Sequence, residues 1–395
     1  MSAKSRGGLA PDLPTAHFRK LEVALASMDD NQLEHEAGTR WSVELLEPSS
    51  GSVIPDKRGG ATLAQAHFYR HDPILARAHI ARNNKVYLVG GANRDAESFG
   101  DVHQLDLATK RWQHIKPALG KLPPRSGHSA VAVDGDIIVF GGYNARDGVI
   151  YNDLHVFNTD TNAWTAVSAD GEAPAPRNAH AAVLLPGSSA AQHKMLVFGG
   201  SSPDHGAFSD VFVLHLDTTG SPSNSGEHTY RWEQLGCSGE QPEARELHCG
   251  VRVSDNRVCF AGGRNRDGNM CTDMAWLDTA KLEWQIMPIC GWGRCSYVAG
   301  SIRGTIVGFG GFDGSSVCGD CCSFCEKTEA WYTVEAADDK HPHDKHQVIP
   351  ERFGHCGTAV ELFGAGDKAV EQAILVFGGM NAETDLDDVV MVRQR

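Results

Sequence analysis

Six short apolar runs, each closed by a glycine pair, organise this chain. They are Val86-Tyr-Leu-Val-Gly-Gly91, Ile137-Ile-Val-Phe-Gly-Gly142, Met195-Leu-Val-Phe-Gly-Gly200, Val258-Cys-Phe-Ala-Gly-Gly263, Ile306-Val-Gly-Phe-Gly-Gly311 and Ile374-Leu-Val-Phe-Gly-Gly379, spaced 48 to 68 residues apart. Four apolar residues are too few for a helix and suit a buried strand, while glycine permits positive φ and close backbone approach at its end. Nine to eleven residues after each pair stands an aspartate, at 101, 153, 210, 273, 320 and 388, opening a second apolar run. Trp112, Trp164, Trp284 and Trp331 follow four of these aspartates by eleven residues. Trp232 follows Asp210 by twenty-two, because residues 218–226 are inserted. Each unit therefore predicts four short strands with Gly-containing turns.

Ahead of each glycine pair comes an arginine, in four units with a histidine three residues later: Arg125/His128, Arg177/His180, Arg245/His248 and Arg352/His355. Arg294 is followed instead by Tyr297, and Arg58 by Ala61. A period near fifty residues with these signals in register resembles the kelch repeat over about residues 40–395. That resemblance implies an all-β fold: a six-bladed kelch β-propeller with four-stranded antiparallel blades. It places this chain with kelch-only proteins, the class of the Rab9 effector and the host cell factor propeller.

The sixth unit ends after Asp388-Val-Val-Met-Val-Arg393 and lacks its outer strand. Trp41, in Thr39-Arg-Trp-Ser-Val-Glu-Leu-Leu46, is the remaining tryptophan of the right type. The N-terminal strand is therefore expected to close the last blade, leaving no open edge. Glu44 departs from the pattern, since the other units carry an apolar residue three positions after the tryptophan. The chain divides into a tail, 1–38, and a propeller, 39–395. Within the tail, Thr15 to Met28 predicts a short amphipathic helix with Phe18, Leu21, Leu25 and Met28 on one side.

Composition narrows the function. A net charge of −14 without a lysine or arginine run argues against nucleic acid, which demands clustered cations. No stretch is long and apolar enough for membrane insertion, and no secretory signal opens the sequence. Eleven cysteines, an odd number, fit a reducing, cytoplasmic setting better than a disulfide framework.

Three groupings carry possible chemistry. Cys318-Gly-Asp-Cys-Cys-Ser-Phe-Cys325 looks like overlapping zinc half-sites, yet Cys318 and Cys321 register with core positions of the other units. The His-rich stretch 338–346 reads as a solvated loop between the fifth and sixth units. The arginine–histidine pairs recur, which is the mark of architecture. No metal, cofactor or catalytic residue is assigned. The resemblance also allows activities that the residues do not follow. The iron pattern of plant specifier proteins would need histidine at 105, where leucine stands beyond Glu97 and Asp101. Galactose-oxidase-type enzymes have seven blades, and ubiquitin-ligase adaptors carry a longer N-terminal domain.

The expected function is a protein–protein interaction scaffold or adaptor. Kelch resemblance places the loops after the glycine pairs on one face, with the inter-blade connections, and loops carry specificity. The candidate partner-binding residues there are Arg94, Tyr143, Arg146, Asp204, Arg264, Arg266, Phe312 and Asn381. Four arginines on an acidic protein suggest a protein or peptide with an acidic or carboxylate-bearing segment. The alternative is a metal-supported enzyme, with a site in the central channel or the Cys/His-rich fifth blade.

Overall fold

The computed structural model describes residues 41–65, 84–187, 192–217, 229–289, 292–334, 349–363 and 369–394. They form strands and turns, with no helix among them. The helix expected over Thr15 to Met28 and the His-rich stretch 338–346 lie outside the described residues.

Six antiparallel four-stranded blades are present. Blade one is Thr62–Gln65, Lys85–Ala92, Ser98–Asp106 and Arg111–Ile115, and each later unit repeats that order of inner, second, third and outer strand. In blade six the outer strand is Trp41–Leu45, paired antiparallel with Val389–Gln394 so that Trp41 faces Gln394 and Glu44 faces Met391. Glu44, the residue out of pattern, meets Arg393 at 2.5 Å. An ion pair on the blade's outer strand thus replaces the apolar contact made elsewhere.

Alternation along each strand gives a blade two apolar faces, and the structure buries them between blades. Six separate clusters result, one at each blade interface. The outer-strand tryptophan often reaches the second-strand phenylalanine of the preceding blade. Trp112 meets Phe377 with ring centroids 5.4 Å apart, Trp232 meets Phe140 at 4.8 Å, and Trp284 meets Phe198 at 5.2 Å. Trp41 packs in the cluster between blades five and six. The connections between blades also guard outer edges: Ser238–Gly239 pairs in parallel with the outer strand of blade four at Glu283 and Trp284.

The arginine and aspartate of each unit prove to be partners. Arg125 Nη1 and Nη2 donate to the two carboxylate oxygens of Asp153 at 2.6 and 3.0 Å. Its Nη1 also donates to Gly141 O, and its Nε to Pro123 O. The same fork joins Arg58 to Asp101, Arg177 to Asp210, Arg245 to Asp273, Arg294 to Asp320 and Arg352 to Asp388. A guanidinium without solvent exposure is tolerable only with its donors satisfied in this way. In blades one to three an aromatic ring also lies against it, Phe99, Tyr151 or Phe208. The first glycine of each pair is required by the next blade: a Cβ on Gly90 would lie 2.8 Å from His128 and 2.9 Å from Arg125 O.

Two residues beyond each arginine, the blades join in a closed circuit. Gly127 N donates to Gly60 O, Ala179 N to Gly127 O, Leu247 N to Ala179 O, Ser296 N to Leu247 O, Gly354 N to Ser296 O, and Gly60 N to Gly354 O, all at 2.7–2.9 Å. All six residues have positive φ, from 53° to 65°.

Candidate functional site

Strand direction fixes which segments share an end of the propeller. The loops after the glycine pairs and the connections between blades lie together, because the residue after each pair bridges the residue after each arginine. These bridges are Gly59 with Ala92, Ser126 with Tyr143, Asn178 with Ser201, Glu246 with Arg264, Cys295 with Phe312 and Phe353 with Met380. They surround the hydrogen-bonded circuit and form the rim of one face.

The rim is asymmetric. On blades five and six it is apolar: Phe312 and Phe353 have ring centroids 6.3 Å apart, and Met380 bridges Phe353. Met380 leans towards blade one, where a Cβ on Gly59 would lie 3.4 Å from its Cε. On blades three and four the rim is polar. Arg264 Nε donates to Glu246 Oε1 at 2.7 Å, and Ser201 hydrogen-bonds the other oxygen of Glu246.

The eight residues expected to bind a partner occupy this face, but they do different work there. Arg94 is committed to blade six: its Nε and backbone N donate to Asp385 at 2.9 and 3.0 Å, and its Nη atoms donate to Glu383 O and Asn381 O. The Asp385 side chain is only 9% exposed. Asn381 Oδ1 accepts the amides of Glu383 and Thr384, shaping that loop. Arg264 is paired with Glu246, and Arg266 Nε donates to Ala207 O of blade three at 2.9 Å. Arg146 and Asp204 are exposed, and Tyr143 and Phe312 half-buried. Two of the four arginines, Arg94 and Arg264, are therefore already paired with carboxylates of the protein itself. Phe353, Met380 and Glu246 share the rim with them, although the sequence does not single them out. Their signal was positional: the residues after each arginine and each glycine pair vary between units, whereas the residues beside them repeat.

The histidines after the arginines are inter-blade contacts. His355 Nε2 donates to Phe309 O at 3.0 Å, and His180 meets Ser129 at 2.7 Å. Burial, with the neighbouring arginine adding repulsion, pushes His128, His248 and His355 down to about 3, so they are neutral near pH 7. In blade five Tyr297 takes the place, its hydroxyl donating to Ala261 O at 2.8 Å. Burial opposes ionisation of Asp101 and Asp153. Hydrogen bonds from His103 and Arg58, and from His155 and Arg125, outweigh it and hold both carboxyls well below the usual range.

The channel offers a cavity of about 630 Å³. It is lined by inner strands and the turns that follow them, including Ala132, Asp134, Gly250, Arg252, Arg303 and Glu361. It therefore lies beyond the circuit, towards the opposite face, and none of the eight expected residues lines it. In the fifth blade Cys321 and Cys322 are buried and Cys318 is half-buried, where blades one to three place the ring against the arginine. Burial pushes the Cys322 thiol up to about 11. The grouping of possible metal ligands found among the described residues lies elsewhere: Asp101, His103 and His114, with ligand atoms within 4.8 Å. Asp101 is already held by Arg58 and His103. Blade two keeps the same pair, Asp153 with His155, opposite Ala166.

Comparison with known proteins agrees with this geometry. A family model described as the KLHDC2/KLHL20/DRC7 Kelch-repeats domain matches residues 127–362. Kelch domain-containing protein 3 of Homo sapiens is 26% identical over 337 residues, covering 79% of this chain and 81% of that protein. Acyl-CoA-binding domain-containing protein 4 of Arabidopsis thaliana is 32% identical over 253 residues, 61% of this chain. The flagellar outer arm dynein alpha chain of Chlamydomonas reinhardtii is 30% identical over 229 residues, 54% of this chain. The chain spans only 34% of that plant protein and 5% of the dynein chain.

Proposed function

This chain belongs to the kelch-repeat family, and from that premise we propose that it is a protein-interaction scaffold whose partner docks on the face carried by the loops after the glycine pairs. One observation supports the reading above the others. The arginine–aspartate forks, the glycine pairs and the circuit repeat from blade to blade, while the rim residues between them do not: Ala92, Tyr143, Ser201, Arg264, Phe312 and Met380 occupy one structural position. A rigid frame presenting six different side chains at one end is suited to recognition, and catalysis is not part of the reading. Adaptor work, joining that partner to a second protein, is the finer form of the proposal. A cytoplasmic setting belongs to it too, supported by free thiols at all ten cysteines among the described residues. No helix among those residues is long and apolar enough to cross a membrane.

The test is affinity capture with the wild-type chain beside a variant carrying Tyr143→Ala, Arg146→Ala and Phe312→Ala, both checked for equal melting temperature. Loss of the wild-type partners from the variant is the expected result. Equal retention on both proteins would place the docking surface elsewhere.

A further inference from the structure

Resting on the proposed docking face, we infer that its partner is a basic protein segment, one that seats an apolar side chain on Phe312, Phe353 and Met380 and carries lysine or arginine beside it. The four arginines conspicuous in the sequence suggest the opposite charge. What favours the other sign is the set of segments that share the face and the charges already paired within it.

The loops after the glycine pairs, residues 93–97, 144–148, 201–206, 264–270, 312–316 and 380–385, hold eight carboxylates against four guanidiniums. Two of those guanidiniums are paired, Arg94 with Asp385 and Arg264 with Glu246. The described parts of the connections between blades share this end. Leaving aside the six arginines in the aspartate forks, they add eight carboxylates against three lysines. Much of the net charge of −14 is thus concentrated on one face. A field of one sign raises the local concentration of the opposite charge and speeds its arrival.

The apolar part of the rim lies within this acidic surround. Asp313 follows Phe312, Glu351 stands two residues before Phe353, and Glu383 stands three after Met380, all three exposed. Among the described residues, Asp313 accepts the amides and hydroxyls of Ser315 and Ser316. None of the three has a cationic partner among the described residues. Backbone hydrogen bonds from Ser316 and Ser315 hold the Asp313 carboxyl well below the usual range, so it stays ionised. Arg94 is nearby but committed to Asp385. Half-buried rings and a thioether make an adaptable anchor site, and unpaired carboxylates around it select the charge of what enters.

The experiment is selection of a random peptide library on the immobilised full-length chain, followed by affinity measurement with the labelled peptides obtained, at low and physiological salt. Three proteins are compared: wild type, Phe312→Ala with Met380→Ala, and Asp313→Lys with Glu383→Lys. The expected peptides are rich in lysine or arginine around a leucine, methionine or aromatic residue. They should bind roughly tenfold more weakly to either variant and weaken with salt on the wild type. Peptides that are lost with the Phe312 and Met380 variant but are acidic, or indifferent to salt and to the lysine variant, would overturn this inference while leaving the docking face standing. Peptides indifferent to both variants, or a library yielding no binder, would overturn the face along with it.

Discussion

The amide of Gly60 lies 2.7 Å from the carbonyl oxygen of Gly354, joining blade one to blade six and closing a circuit that four other residues continue. Each member has positive φ, a conformation that costs an L-residue roughly 1–2 kcal/mol. Three blades meet that requirement with glycine, and three with Ala179, Leu247 and Ser296. The circuit therefore tolerates a side chain where the surroundings leave room.

Space, more than conformation, sets the cost of losing a glycine here. A Cβ on Gly354 would meet nothing within 4 Å, whereas one on Gly262 would fall 2.3 Å from Arg294 O. Gly354→Ala is expected to cost about 1 kcal/mol, the conformational strain alone. Gly262→Ala should cost about 1–3 kcal/mol more than that, because the next blade must move. Denaturant midpoints of the two variants check this, and equal losses would show that blade contact is not the constraint.

Tyr297 already demonstrates an alternative to the buried histidines. His355 falls to about 3 in the folded protein against an ordinary value of 6.5. Its contribution to stability is full above pH 6.5 and is lost as the pH falls towards 3, at about 1.4 kcal/mol per unit. Asp101, Asp153 and Asp320, held below the usual carboxylate range, lose theirs only below about pH 4, so the window from pH 6.5 to 5 isolates the buried histidines. His355→Tyr should preserve a donor to Phe309 O and reduce the stability loss across that window by about 2 kcal/mol. Urea titrations at pH 7 and pH 5 measure it. An unchanged difference would show that His355 does not resist protonation.

The frame was legible because backbone geometry dictates it afresh in every unit. Gly90 has no room for a side chain, Arg125 needs a carboxylate in reach, and Trp232 fills the space beside Phe140. Such demands repeat, and repetition is visible in one sequence. The pairing of Arg125 with Asp153 was less visible, as the two are twenty-eight residues apart. The rim was legible only in position. Phe353 and Met380 belong to segments twenty-seven residues apart that meet only when the inner and second strands pair, and the charge of a face cannot be summed before its members are known.

Arg94 and Arg146 look alike in the sequence, in Asn-Arg-Asp and Asn-Ala-Arg-Asp loops, but should behave differently. Arg94→Ala strands the largely buried Asp385 without its guanidinium and is expected to cost about 1–3 kcal/mol. Arg146 is exposed and its side chain holds no partner among the described residues, so Arg146→Ala should stay within about 0.5 kcal/mol. Thermal melting of the two variants decides it. Equal losses would mean that the Arg94–Asp385 contact carries no stability.

Blade six depends on a strand from the other end of the chain. Trp41 is 5% exposed and packs with Val390, Val392 and Phe309, so Trp41→Ala should cost about 3–5 kcal/mol. Removing residues 1–46 goes further. It uncovers the hydrogen-bonding edge of Val389–Gln394 and frees Arg393 from Glu44. An uncovered edge can pair with another chain, so the truncated protein should both melt earlier and self-associate. Its loss should exceed that of Trp41→Ala, because five residues of strand pairing go with the indole. Calorimetry and light scattering on the two proteins separate these effects. A truncated chain that stays monomeric and melts with the wild type would show that blade six holds its three remaining strands unaided, and that the N-terminal strand is dispensable to the ring.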